Sequence, residues 1–159
     1  MSTDSPIVLT PAGHDRIEKD LERLKTVERR EVAERIRDSK QFGEYSENAE
    51  YEDAKIEQAF VEGRIQELRR ILQMARVIEP DEIPTDEIGI GSIVTVKDMK
   101  HKDEWEFTLV SPIESDPDQD RISDESPIGN ALFGRKVGEV VDVPIPDGHV
   151  KYKILGIRK

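Results

Sequence analysis

The stretch YEDAKIEQAFVEGRIQELRRILQMA, residues 51–75, decides the fold of the first half of this chain. Eight of its side chains, apolar or small apart from one glutamine, recur at alternating spacings of three and four: Tyr51, Ala54, Gln58, Val61, Ile65, Leu68, Leu72 and Ala75. This spacing is typical of the seam that one helix presents to another in a coiled coil. The stretch therefore predicts a long helix that packs against a second helix.

A second apolar stripe lies upstream and can supply that partner. Its members are less regularly spaced: Ile17, Leu21, Leu24, Val27, Val32 and Ile36. Gly43 lies between the two stripes and can adopt the left-handed conformation that ends a helix. We therefore expect an antiparallel helical hairpin with a short acidic turn, residues 43–48, at its tip.

The helix boundaries follow from capping residues. Thr10 can cap the free amides of a first helix, and Pro11 suits the first helical position. That helix is predicted to run to about Lys40. Ser46 is a suitable cap for the second helix, which is predicted to end near Ala75.

The second half of the chain has a different period. Pro80 and Pro84 interrupt helical periodicity among acidic residues, so we expect an N-terminal domain over residues 1–80, a linker over 81–90 and a C-terminal domain over 91–159. The C-terminal domain is predicted to hold one short helix and five strands: 126–134 for the helix, and 93–96, 105–110, 121–123, 139–143 and 150–157 for the strands. The predicted fold class is α+β, a helical hairpin followed by a small antiparallel sheet.

Composition limits the function. The net charge of -11 argues against general binding to the phosphate backbone of nucleic acids. The chain has no cysteine, and no apolar run reaches the ~20 residues of a membrane span. We therefore expect a soluble cytoplasmic protein without thiolate metal sites.

Two motifs carry a resemblance to a known family. GEYSENAEY at residues 43–51, followed by QAFVEGRI at residues 58–65, is similar to the signature of the Gre transcript-cleavage factors, and most of all to their GreA members. SPIGNALFG at residues 126–134 resembles the C-terminal motif of the same family. The resemblance covers nearly the whole chain.

The resemblance implies a fold and a mechanism. The C-terminal domain is expected to be FKBP-like and to dock on bacterial RNA polymerase near its secondary channel, which the coiled coil enters. The tip carboxylates, Glu44 and Glu47, are expected to help the polymerase active site bind a second Mg²⁺ and cut the 3' end of backtracked RNA. The factor itself is then no enzyme and binds no cofactor alone, and it is expected to be a monomer when free.

Four further residues belong to this expected site. Asn48 matches the family pattern beside Glu47. Lys40 and Lys55 stand where the family often has basic residues that contact the RNA 3' end, although ordinary surface lysines are an equal alternative. Tyr51 begins the heptad seam, so packing beneath the tip is favoured over stacking on RNA.

Alternatives remain open at this stage. The family usually has aspartate and leucine where this chain has Glu44 and Tyr45, so a factor that occupies the channel and inhibits the polymerase without cleavage is a second hypothesis. A coiled-coil adaptor with an isomerase-like domain is a third. It is disfavoured because the aromatic residues of the second half are expected to form the core of the sheet: Trp105, Phe107, Phe133 and Tyr152.

Asp116, Asp118 and Asp120 resemble the start of a calcium-binding loop. Arg121 replaces the glycine that the sharp turn of such a loop needs, and Pro127 replaces its bidentate glutamate. A solvated hairpin loop is therefore expected there.

Overall fold

The computed structural model describes residues 7–40 and 49–159. The chain divides into two compact units: His14–Ala75 form one, and Met1–Gly13 together with Arg76–Lys159 form the other. Helices dominate the first unit, and a sheet dominates the second. The predicted α+β fold class is confirmed.

The elements follow one another in an order that separates helices from strands. In chain order they are β1 (Ile7–Leu9), α1 (Pro11–Arg23), a π-helical turn (Leu24–Glu28), α2 (Arg29–Lys40), α3 (Ala49–Met74), β2 (Ala75–Val77), β3 (Ile93–Asp98), β4 (Glu104–Val110), β5 (Arg121–Ser123), α4 (Pro127–Leu132), β6 (Val140–Ile145) and β7 (Gly148–Arg158).

The first unit is the predicted hairpin. Its second arm, α3, has 26 residues and is therefore about 39 Å long. The seam of α3 is buried at four of the eight predicted positions, Ala54, Val61, Ile65 and Leu68, and half-buried at the other four. Two ion pairs join the arms: Arg29 with Glu62, and Arg35 with Glu57. The residue number increases along the first arm while the number of its partner decreases along the second, so the arms are antiparallel.

A π-helical turn shifts the register of the first arm. The amide of Arg29 donates to the carbonyl of Leu24, five residues back, where an α-helix would use a spacing of four. The turn absorbs one extra residue, so Leu24 and Val32 are both buried although eight residues separate them. Val27, which the sequence places on the stripe, is 37% exposed. That prediction is wrong because it assumed a constant number of residues per helical turn, and the turn at Leu24–Glu28 is wider.

The second unit is built on a five-stranded sheet with the order β5-β4-β3-β7-β6. Neighbouring strands are antiparallel except β4 and β5, which run parallel, so the sheet is mixed where the sequence predicted a purely antiparallel one. All five predicted strands are present. Alternate side chains of the strands enter one core, which consists of Ile88, Val94, Val96, Phe107, Leu109, Ile122, Leu132, Val141, Val143 and Ile154.

The short helix α4 covers this core. The Ser126 hydroxyl accepts a hydrogen bond from the amide of Gly129, which is the predicted cap, and Leu132 is fully buried. Phe133 was predicted to lie in the core but is 52% exposed. It is the residue at which the chain leaves the helix, and Leu132 already fills the inward position.

The segment that the sequence marked as a linker contributes to the second unit. Ile88 is 1% exposed and belongs to the core, and its amide donates to the carbonyl of Arg135. Its own carbonyl accepts from the amide of Gly134. Two residues that follow α4 therefore hold this segment in the second unit.

Candidate functional site

The expected tip residues fall between α2 and α3 in the sequence. Glu44, Glu47 and Asn48 fall within residues 41–48, outside the described residues. The structure describes the two helix ends that flank this segment, Lys40 at the end of α2 and Ala49 at the start of α3. Antiparallel arms bring these two ends to the same end of the hairpin.

The predicted residues nearest to the tip are described in part. Lys40 and Lys55 are both exposed, and the Nζ of Lys55 donates to the Oε1 of Gln58 at 3.1 Å. Tyr51 is half-buried in the first turn of α3. The exposure leaves both lysines accessible to a ligand, and their contact with RNA stays a prediction.

A polar cavity of about 280 Å³ lies between the arms close to the tip. Its lining includes one guanidinium, one hydroxyl and three carboxylates: Arg35, Ser39, Asp38, Glu50 and Asp53. The carboxylates outnumber the guanidinium, so this part of the hairpin carries local negative charge. No motif in the sequence marked these three acids as part of a site. Their positions near the end of the first predicted helix and the start of the second were the one signal that could have found them.

Charge pairs brace the hairpin below this cavity. Arg29 donates from Nε and Nη2 to the two carboxylate oxygens of Glu62, both at 2.8 Å. These hydrogen bonds lower the pKa of the Glu62 carboxyl and raise the pKa of the Arg29 guanidinium. Arg35 makes a further pair with Glu57. The arms are therefore joined by polar contacts outside their apolar seam.

The second unit has a larger cavity, of about 440 Å³, beside the turn that follows β3. Two histidines line it, and each lies near a carboxylate: His101 Nδ1 lies 3.1 Å from Asp98, and His149 Nδ1 lies 3.4 Å from Asp142. Hydrogen bonds from the His101 backbone amide, the His101 ring and the Lys100 amide lower the pKa of Asp98. No motif or spacing in the sequence indicates a role for these residues.

The aspartate-rich loop is tied up by neighbouring side chains. Asp116 accepts from Arg121 at 3.2 Å, and Asp120 accepts from the indole Nε1 of Trp105 at 2.9 Å. Across residues 7–40 and 49–159, no group of three or more histidine, aspartate or glutamate side chains is arranged to hold a metal ion. An antiparallel bridge between Asp116 and Arg121 closes residues 117–120 into a tight loop.

In the described ranges, none of the helices has the length and apolar character that crossing a membrane requires.

Comparison with known proteins addresses both halves of the chain. Residues 7–77 match the family model described as "Transcription elongation factor, N-terminal", and residues 83–159 match "Transcription elongation factor, GreA/GreB, C-term". The transcription elongation factor GreA of Acetivibrio thermocellus is 52% identical over 159 residues, which is the whole of both chains. GreA of Thermoanaerobacter pseudethanolicus is 51% identical over 154 residues, or 97% of this chain and 98% of the relative.

Solved structures of similar chains include GreA factor homolog 1 (Gfh1) of Thermus thermophilus. It is 30% identical, with a TM-score of 0.45 over 98% of this chain and 100% of the other. A GreA/GreB factor from Nitrosomonas europaea is 23% identical, with a TM-score of 0.43 over 98% of this chain and 99% of the other.

The two family models together cover the helical hairpin and the sheet, and the curated relatives match from end to end. The tip motif and the C-terminal motif stand in the same chain in the order that the resemblance requires. This chain therefore belongs to the GreA/GreB family of transcription elongation factors.

Proposed function

We propose that this chain binds bacterial RNA polymerase, inserts its helical hairpin into the secondary channel and stimulates the polymerase's own cleavage of backtracked RNA. The observation that carries the proposal is the position of the tip motif in a chain of this family. Residues 43–48 fall between α2 and α3 in the sequence, and the described ends of these antiparallel helices, Lys40 and Ala49, lie at the same end of the hairpin. The C-terminal unit is assigned the docking role, with an FKBP-like fold.

The hairpin has the mechanical properties that this role needs. Its seam is continuous from Ala54 to Leu68, and the bidentate pair of Arg29 and Glu62 ties the arms together outside the seam. A two-helix rod bends less than a single helix, because packing of each arm restrains the other. The described ends of the arms, Lys40 and Ala49, can therefore be held at a fixed position relative to the rest of the hairpin.

Magnesium fits the donor chemistry of the tip. It is a hard cation that prefers oxygen ligands and usually keeps several waters, so Glu44 and Glu47 are sufficient if the polymerase supplies the remaining ligands. A second magnesium ion would stabilise charge on the attacking water or on the leaving oxygen during phosphodiester cleavage. We assign the ion to the complex with polymerase rather than to this chain alone.

The residues of this chain then have separate tasks. Glu44 and Glu47 present carboxylate oxygens. Either carboxylate can accept a hydrogen bond from the attacking water and so orient it. Asn48 matches the family pattern beside Glu47. Lys40 and Lys55 are accessible cations that can hold the RNA 3' end, and Tyr51 packs beneath the tip.

A cleavage assay on a backtracked elongation complex tests the proposal. The wild-type chain is expected to shorten the RNA from its 3' end in a Mg²⁺-dependent way, and Glu44→Ala and Glu47→Ala are each expected to slow this cleavage strongly. Matched Glu44→Gln and Glu47→Gln variants keep the side-chain size and remove only the charge. An RNA that stays intact with wild-type factor contradicts the proposal.

The second candidate is a factor that occupies the channel without promoting cleavage. The glutamate at position 44 favours it, because the longer side chain has more rotamer freedom than the aspartate usual in the family and holds its oxygens less firmly. This candidate predicts slower nucleotide addition with no shortened RNA. Glu44→Asp distinguishes the two, since it should restore cleavage in an inhibitor and change little in an active cleavage factor.

A further inference from the structure

Helix α3 has a second apolar face that the hairpin does not use. Ile56 is 67% exposed and Phe60 is 71% exposed, although both are large apolar side chains. They stand one helical turn apart, and Gly63 follows three residues later, so all three share one face. The buried seam residues Val61 and Ile65 lie on the opposite side of the helix.

The glycine at position 63 supports the interpretation of the face formed by Ile56, Phe60 and Gly63 as a contact surface. A Cβ atom added at Gly63 would meet no other atom within 4 Å, so neither helix packing nor backbone conformation within the hairpin requires glycine there. Glycine in a helix interior is destabilising relative to alanine. Its benefit is that another chain can approach the helix backbone closely beside the Ile56 and Phe60 side chains.

A second copy of this chain is a poor occupant. Two exposed side chains of this size offer on the order of 300 Å², well below the roughly 800 Å² per partner that a stable interface buries. The exposed acids Glu52, Asp53 and Glu67 border the face, and each copy carries a net charge of -11. Two copies would therefore bring like charges together around a small contact.

The small apolar area and the acidic border of this face also indicate which kind of partner fits it. Its contact surface is apolar at the centre and basic at the border, and the complex must be held together by additional contacts elsewhere. In the function proposed above, polymerase supplies such additional contacts, because it also binds the C-terminal unit and the tip. The face begins only seven residues beyond Ala49, so it belongs to the part of the hairpin that enters the channel.

We propose that Ile56, Phe60 and Gly63 form a docking face for the wall of the polymerase channel, against an apolar segment with a basic border. This inference rests on the proposed function, since it takes polymerase as the occupant. The face anchors the hairpin in the channel, whereas the tip carboxylates act on the RNA. Removing the face should therefore weaken binding without altering the chemistry at saturation.

The test uses the full chain and two readouts. Direct binding of fluorescently labelled factor to a backtracked elongation complex gives the affinity, and a titration of RNA cleavage gives the half-maximal factor concentration and the maximal rate. The double variant Ile56→Gln/Phe60→Gln is expected to bind roughly tenfold more weakly and to reach the wild-type maximal rate at higher concentration. Gly63→Ala is expected to bind several-fold more weakly while unfolding at the same or a higher temperature.

The control is Gln66→Ala, an exposed position of α3 outside this face, which should bind as the wild type does. Wild-type affinity in both face variants overturns the inference, whatever the cleavage result. Weaker binding of the variants together with no cleavage by the wild type supports the face and contradicts the cleavage function. A wild-type chain that does not bind polymerase overturns both.

Self-association provides a further check. Sedimentation of the wild type at high concentration should show a monomer. A dimer that Ile56→Gln/Phe60→Gln dissociates would assign the face to a second copy and overturn the inference.

Discussion

The carboxylate of Glu114 lies 2.7 Å from both the amide nitrogen and the hydroxyl oxygen of Thr10, a residue 104 positions earlier in the chain. Thr10 is also the cap of α1, since its hydroxyl oxygen accepts from the amide of Gly13 at 3.0 Å. Both side chains are buried. The start of the first helix is therefore completed by a carboxylate from the other end of the sequence.

Glu114→Ala is expected to lower the free energy of unfolding by about 2 kcal/mol, because it leaves the buried amide and hydroxyl of Thr10 without their acceptor. Glu114→Gln keeps one carbonyl oxygen and should lose less. Chemical denaturation measures both values. Asp118→Ala, which removes an exposed carboxylate from the same region, serves as the control, and an equal loss in the control would contradict the role of Glu114.

Gly13 should be coupled to Glu114. A Cβ added at Gly13 would lie 2.0 Å from the Oε1 of Glu114, so Gly13→Ala must displace the carboxylate from Thr10. The two substitutions remove the same hydrogen bonds, and the double variant should therefore lose much less stability than the sum of the single losses. A double-mutant cycle by denaturation measures this coupling, and simple additivity would refute it.

The ion pair of Arg29 and Glu62 should make the hairpin sensitive to acid. The pKa of Glu62 is lower in the folded chain than in the unfolded chain, so its stabilisation is fully present above the ordinary glutamate pKa of about 4.3 and is lost as the pH falls through the lower folded value. The free energies of unfolding of wild type and Glu62→Gln, measured by denaturation from about pH 7 to about pH 3, should differ by an amount that shrinks towards acid. A difference independent of pH would exclude this origin.

The two apolar faces of α3 should differ sharply in their effect on folding. Ile65 is fully buried in the seam, so Ile65→Ala is expected to cost about 2–5 kcal/mol of unfolding free energy. Phe60→Ala removes a larger side chain from an exposed position and should change stability by no more than about 0.5 kcal/mol. Thermal unfolding followed by helix content measures both. A large loss for Phe60→Ala would mean that this ring supports the fold.

Asp120 should fix the environment of the single tryptophan. It accepts from Trp105 and adopts a left-handed backbone conformation with φ of 55°. Asp120→Asn keeps the acceptor and tolerates this conformation, Asp120→Gly loses only the acceptor, and Asp120→Ala loses the acceptor and adds backbone strain. Stability should fall in that order, and the fluorescence of Trp105 should shift in the glycine and alanine variants but not in the asparagine variant.

The features that the sequence predicted well depend on local patterns. The heptad spacing identified the seam of α3, and Thr10 identified the start of α1, because both signals lie within a few residues. The predicted strands 139–143 and 150–157 likewise located β6 and β7, which pair as antiparallel neighbours.

The features that were missed depend on distant parts of the chain. Nothing near Thr10 indicates that Glu114 completes its cap. Val27 was misplaced because counting along a helix assumes a constant number of residues per turn, while the packing of both arms selects the wider turn. Phe133 was misplaced because composition alone does not show that Leu132 fills the inward position first.

The wide turn at Leu24–Glu28 sets the angular phase of everything that follows it in the first arm. In a regular α-helix each residue advances the chain by about 100°, so an arm of the same length that formed a regular α-helix through Leu24–Glu28 would have Val32 rotated away from its partner helix by about that angle. Lys40, at the far end of the same arm, would rotate by the same angle. The direction in which the end of this arm presents its side chains is therefore determined several turns earlier, by one surplus residue.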